Sequence, residues 1–153
     1  MKKLIAATCV LLTLLTGACK KDTSKKTSGK DWTFNGQSHS TYAVFKEPGT
    51  YGMVGFTDRD SNYLYFFFGE LPEKDGSFDL VPLTELDETK ASIAVCNISQ
   101  MVTGVCNGTE KRTLYVTFDK GKMHLKCDDV PLDLTDDLND TESRGRFSAD
   151  ISE

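Results

Sequence analysis

Leu114-Tyr115-Val116-Thr117-Phe118-Asp119-Lys120-Gly121-Lys122-Met123-His124-Leu125-Lys126-Cys127 decides the fold class. Large apolar residues fall at every second position on both sides of a short polar turn. A period of two belongs to strands with one buried face, not to helices. Gly121 supplies the positive φ that a tight hairpin turn needs. Residues 112–127 are therefore expected to form a β-hairpin with one wet face. Cys127 falls in step with Met123 and Leu125 and should be a buried, inert core thiol. His124 falls between them and should face outward.

The same period recurs along the chain. Trp32 and Phe34 lead into Asn35-Gly36, a strong two-residue hairpin signal. Strands are expected over His39 to Lys46, Thr50 to Thr57, Asn62 to Phe68, Ser77 to Val81, Ala91 to Ile98 and Val102 to Val105. Phe147, Ala149 and Ile151 close the chain with another alternating run. Tyr63 to Phe68 has no polar face. It is either a central strand covered on both sides or a strand whose Tyr face is half wet; fully exposed, it would invite aggregation. Helical signals are short. Thr84-Glu85-Leu86-Asp87 has capping spacing, and Leu132 to Leu138 has room for one turn. Eight or nine short strands without crossover helices predict an all-β domain. An antiparallel β-sandwich is the expected form, with a closed lipocalin-like β-barrel as the alternative.

The first 19 residues have a different character. Met1-Lys2-Lys3 precedes an apolar run, Leu4 to Leu15, then Thr16-Gly17-Ala18-Cys19. The run is too short to span a bilayer, which takes roughly 20 residues. A basic start, a short apolar middle and a small-residue exit mark an export signal that is removed. Cys19 at the exit is the expected lipid attachment site. Residues 19–30 carry Lys20, Lys21, Lys25, Lys26 and Lys30 against Asp22, with Ser, Thr and Gly between. That composition cannot build a core and reads as a tether reaching about 17–20 Å as a coil.

Charge narrows the partners. The chain has 18 Lys+Arg and 23 Asp+Glu. Seven bases and Asp22 lie in residues 1–30, which leaves 11 bases and 22 acids, net −11, for residues 31–153. Such a domain repels phosphate backbones, so nucleic acid is not an expected partner.

Candidate chemistry is sparse. Asp58-Arg59-Asp60-Ser61-Asn62 places oxygens as the start of a calcium loop does. Tyr63 stands where the bending glycine belongs and Gly69 where the closing Glu belongs, so the stretch reads as a solvated hairpin turn. Asp128, Asp129, Asp133, Asp136, Asp137, Asp140 and Glu142 form an acidic run whose spacing fits no metal loop. No zinc, GxSxG or HExxH pattern occurs, and His39 and His124 are the two candidate bases. No catalytic residue, metal site or cofactor is expected. Cys96, Cys106 and Cys127 remain in the exported domain, where disulfides persist. Three is odd, and the short loop favours a Cys96–Cys106 disulfide. Three reduced thiols, or a pair through Cys127, are the alternatives. The aromatics are mostly expected in the core; a ligand face, if built, is expected at Tyr42, Tyr51, Tyr63 and Tyr65, since Tyr suits a half-wet surface.

Cys19 after its export signal, the polar tether, the opening Trp32-Thr33-Phe34-Asn35-Gly36 and the closing Arg146-Phe147-Ser148-Ala149-Asp150-Ile151 resemble small lipoproteins of the Bacteroides group. That resemblance implies a lipid-anchored β-domain in the bacterial cell envelope, by preference at the outer membrane, and no particular activity. The expected role is non-enzymatic binding or an accessory function, with a protein, glycan or small apolar ligand as partner. A lipocalin-like carrier and, further off, a hydrolase are the alternatives. Replacing the acylated thiol, Cys19→Ser, should move the protein from the membrane pellet to the soluble fraction; continued co-sedimentation with lipid would contradict the anchor.

Overall fold

The computed structural model describes residues 31–49, 51–97, 102–136 and 141–153; the expected signal, Cys19 and the expected tether lie outside them. Eleven strands follow in chain order: β1 (Trp32–Phe34), β2 (Gln37–His39), β3 (Ala43–Pro48), β4 (Gly52–Thr57), β5 (Asn62–Phe68), β6 (Gly76–Leu80), β7 (Lys90–Asn97), β8 (Val102–Cys106), β9 (Thr113–Asp119), β10 (Lys122–Asp136) and β11 (Thr141–Ser152). A 3-10 turn at Leu83–Glu85 is the one helical element among the described residues.

The strands form a single sheet in the order β2-β1-β11-β10-β9-β6-β7-β5-β4-β3, with β8 bridging β7 and β10. That bridge closes a ring of five strands, β10-β9-β6-β7-β8. One edge of β10 is shared: β9 pairs with Lys122 to Lys126, and β8 with Leu132 to Asp136. One edge of β7 is shared likewise by β6 and β8. Two wings extend from the ring, β5-β4-β3 from β7 and β11-β1-β2 from β10. The all-β expectation holds. The strand count exceeds eight or nine, and the closed ring gives the molecule the barrel character of the alternative reading in place of two separate sandwich sheets.

Local chemistry sets these elements. Asn35 and Gly36 at φ 48 and 77, and Lys120 and Gly121 at φ 52 and 79, make two-residue turns that match the strand twist. Where β10 passes from β9 to β8, residues between Lys126 and Leu132 have no partner on that edge. The register shift between Cys127 and Val130, with Asp129 at φ 51, and Pro131 both fall there. A bulge and a proline are tolerated where no ladder bond is asked of them. The helical turn expected from Leu132 is instead strand through Asp136, with Val130, Leu132 and Leu134 buried; residues 137 and 138 lie outside the described set.

The core joins both wings. On β5, Leu64, Phe66 and Phe68 are fully buried while Tyr63, Tyr65 and Phe67 are half-buried on the other side. Of the two readings of this strand, the half-wet one is correct. Phe66 meets Phe56 edge-on at 6.0 Å and Phe147 of the opposite wing at 6.3 Å. Each such ring contributes about 1.5–3 kcal/mol by leaving water, so contact between the wings is a large share of the stability. Gly36 has open space where a Cβ would stand, so the cost of a side chain there is conformational. Gly36→Val should lower stability by about 1–2 kcal/mol, the cost of positive φ for an L-residue; thermal unfolding at an unchanged midpoint would show that the turn does not need the glycine.

Candidate functional site

The outer surface of the β5 wing is built from three cross-strand rows. Register places Ala43, Thr57, Tyr63, Cys96 and Thr103 in the first, Phe45, Gly55, Tyr65, Ala94 and Val105 in the second, and Glu47, Met53, Phe67 and Ser92 in the third. Of these fourteen residues only Glu47 is charged, in a chain that is 27% charged. The middle row is continuous because Gly55 has no side chain. A Cβ there would fall 2.1 Å from Phe45 Cζ, so the Phe45 ring lies across β4 and meets Tyr65 edge-on at 5.9 Å. Along β5 the rings of Tyr63 and Tyr65 stack at 6.1 Å and 5°, and those of Tyr65 and Phe67 at 6.1 Å and 30°. Burial raises the pKa of the Tyr65 phenol, with Cys96, Tyr63 and Glu47 adding to it, so the group stays a neutral hydrogen-bonding hydroxyl.

The four tyrosines expected on a ligand face do not share one. Tyr63 and Tyr65 stand together. Tyr42 lies at the Thr57 end of β3, with the Arg59 guanidinium 5.8 Å from its ring centre. Tyr51 is exposed at the opposite end of the β3–β4 hairpin. Phe45 and Phe67 complete the aromatic surface and were not anticipated. Phe67 did carry a signal, since it continues the i, i+2 alternation of Tyr63 and Tyr65. The contact of Phe45 with Tyr65 carried none, because it depends on a glycine in the neighbouring strand.

The cysteines correct the expected disulfide. Cys96, Cys106 and Cys127 are all free thiols. Strands β7 and β8 pair with Cys96 opposite Thr103. Cys106 is three residues further along, a displacement of roughly 10 Å, whereas a disulfide needs Cα atoms within about 7 Å. Cys96 is also on the half-exposed face while Cys106 is buried. Cys127 is the core thiol its alternation implied, its pKa pushed up to about 12 by burial.

Both histidines sit beside a carboxylate, with different surroundings. His124 is outward, as expected. Its Nε2 donates to Asp150 Oδ1 at 2.6 Å and its Nδ1 lies 3.4 Å from Thr117 Oγ1. A hydroxyl, an imidazole and a carboxylate are thus in line, but the next N–H along β9, that of Phe118, already donates to Asp75 Oδ1 at 2.7 Å. The arrangement is a cross-strand ladder without a free donor there for an oxyanion. His39 is stacked on Trp32 at 4.0 Å, its side chain 9% exposed, and its Nδ1 donates to Asp58 Oδ2 at 2.8 Å. A substrate has little access to it.

The turn at 58–62 is the expected hairpin connection, with Arg59, Asp60 and Ser61 exposed, but its flanking Asp58 and Asn62 are buried. Asp58 Oδ1 accepts from the backbone of Asp60 and Asn62, both at 2.9 Å, and Oδ2 accepts from Asn62 Nδ2 at 2.7 Å as well as from His39. One carboxylate therefore shapes the β4–β5 turn and ties it to β2 of the other wing. The acidic run is dispersed: Asp129 meets Arg112 and Arg146, and Asp133 accepts from Asn107 at 2.6 Å. The side chains of Asp136, Asp137, Asp140 and Glu142 lie outside the described set. Among the described residues no three His, Cys, Asp or Glu are grouped to share a metal ion.

Comparison with protein families, with curated proteins and with solved structures gives no match.

Burial raises the Asp58 pKa, but the hydrogen bonds from Asn62, His39 and Asp60 outweigh it and hold the carboxyl below its usual value. The stability it contributes is complete above the unfolded pKa of about 3.9 and is lost as pH falls through the lower folded value. Asp58→Ala should cost about 2–4 kcal/mol near neutrality, since it orphans several buried donors. Its penalty should shrink in denaturant melts toward pH 3; a penalty that does not change with pH would remove the ionised carboxylate from this role.

Proposed function

We infer that this is a lipid-anchored envelope protein with a non-enzymatic binding role, and that its aromatic face binds a partner protein. One observation carries the reading: a partly exposed outer surface of half-buried rings and small neutral residues around the exposed Val105, with one charge among fourteen positions, in an otherwise acidic domain. Soluble proteins rarely leave such a surface without a partner. Tyr, Phe and Met are the residues that interface centres favour, and charge is what they exclude. The half-wet Tyr63 and Tyr65 can lie in water when free and pack when bound.

Ring geometry favours protein over glycan. A sugar stacks on an open ring face. A flat group inserted between two rings needs about 3.5 Å on each side, about 7 Å in all, and Tyr63 and Tyr65 are only 6.1 Å apart. Their facing sides are closed to a sugar, and ring edges are what they offer outward. A small apolar cargo is less favoured, because the interior is packed with side chains such as Trp32, Phe56, Phe66 and Phe147.

The test is site-specific photo-crosslinking in intact cells of the source organism. A benzophenone side chain at Val105, exposed on the same face, should give one discrete protein adduct, lost when Tyr65→Arg is added without loss of melting temperature. The same probe at Tyr115, exposed on β9 of the ring, should give none. Equal labelling from both positions, or none from Val105, would overturn the assignment.

A further inference from the structure

We propose that the end of the domain bearing Asp31, Tyr42 and Arg59 rests on the lipid headgroups of the anchoring membrane, with Tyr42 in the interfacial layer and Arg59 paired to lipid phosphate. The proposal rests on the reading of Cys19 as the lipid site and adds an orientation to it.

Asp31 is where any tether must join the folded body, and its position is fixed. Its N–H donates to His39 O at 2.9 Å, its carbonyl accepts from Asp150 N at 2.9 Å, and its Oδ2 accepts from Thr41 N at 2.7 Å. The chain therefore enters the domain directly beside Thr41-Tyr42. Residues 19–30 span at most about 40 Å when fully extended. Their five lysines against one aspartate are drawn to an anionic surface, which brings Asp31 and its neighbours toward the lipid.

What stands at that point suits a headgroup layer. Tyr42, Tyr51, Leu83, Val105 and Tyr115 are the exposed large hydrophobic residues among those described, and Tyr42, at 51%, is the one next to Asp31. Tyrosine concentrates at membrane interfaces, where its ring sits among the headgroups and its hydroxyl in water. Arg59 lies over that ring, 5.8 Å from its centre, and a guanidinium forks onto phosphate oxygens. Most of the local acids are engaged in hydrogen bonds within the protein. Asp58 is buried and bonded to His39 and Asn62, and Asp31 holds the Thr41 amide, which leaves Asp60 as the exposed acid of the turn. With Tyr42 and Arg59 exposed beside the entry point of the tether, this end offers the membrane an aromatic ring and a cation. The aromatic face would then run upward from the bilayer, with Tyr63 nearest the lipid and Phe67 furthest, open sideways to a partner.

The test uses the lipidated full-length protein on vesicles of phosphatidylcholine and phosphatidylglycerol containing brominated phosphatidylcholine. Trp32 is buried and gives a constant background. Tyr42→Trp should add fluorescence that the bromines quench several-fold more than the fluorescence added by Tyr115→Trp. Adding Arg59→Glu should reduce the Tyr42→Trp quenching by half or more. Vesicle-bound protein with equal or negligible quenching at the two positions would overturn the orientation and leave the anchor standing. Failure of the lipidated protein to sediment with vesicles would overturn both.

Discussion

Strand β8 is the constraint on which the rest depends. Five residues long, it is hydrogen-bonded on both edges, to the end of β7 on one side and to the far half of β10 on the other. Without it the ring would be joined only through β6 and β9, and the packing of the two wings against each other would have to hold the interior closed without a continuous ladder. Its inward-facing Gly104 explains how so short a strand fits. A Cβ at that position would come within 2.9 Å of Leu134, 3.2 Å of Leu132 and 3.4 Å of Phe34. The core fills the space that a side chain would take, so the bridge is thin on its inner side and still closes the ring.

That closure creates an asymmetry of surface chemistry. Once the inner rows of β4, β5 and β7 are committed to the core, period-two geometry sends every alternate residue outward. The outward set here is largely uncharged and rich in aromatic rings, with Glu47 and Lys90 at its margin. The other side of the molecule carries the charge, including a network in which Arg112 and Arg146 hold Glu110 and Asp129 across the β10 bulge. Exposed ion pairs of this kind contribute little stability each. Their effect is to keep that side well hydrated, in contrast to the aromatic outer side of the β5 wing.

Much of the fold could be read from the sequence where the signal was local. Asn35-Gly36 and Lys120-Gly121 named their hairpins because positive φ at both central residues has few chemical solutions. The alternation of Tyr63 to Phe68 gave two readings, and only the location of a covering layer could choose between them. Cys127 and His124 were placed correctly by simple parity. What failed was non-local. The Cys96–Cys106 pairing rested on sequence proximity, and the antiparallel register of β7 and β8 defeats it. Leu132 to Leu138 has room for one helical turn, but Val130, Leu132 and Leu134 alternate with Pro131, Asp133 and Thr135, and that period belongs to the strand. The grouping of four tyrosines assumed one face. Tyr42 and Tyr51 sit at opposite ends of a hairpin, and Phe45 reaches Tyr65 only because Gly55 lets its ring cross β4.

Nuclear magnetic resonance of the region around Gly104 tests the central claim most directly. The ring requires cross-strand contacts from β8 to two strands at once, Gly104 to Val95 on β7 and Gly104 to Leu134 on β10, with slowly exchanging amides in both ladders. Contacts to one neighbour alone, or amides of 102–106 exchanging as fast as those of a surface loop, would mean that the ring is open and that the aromatic face is not held as described.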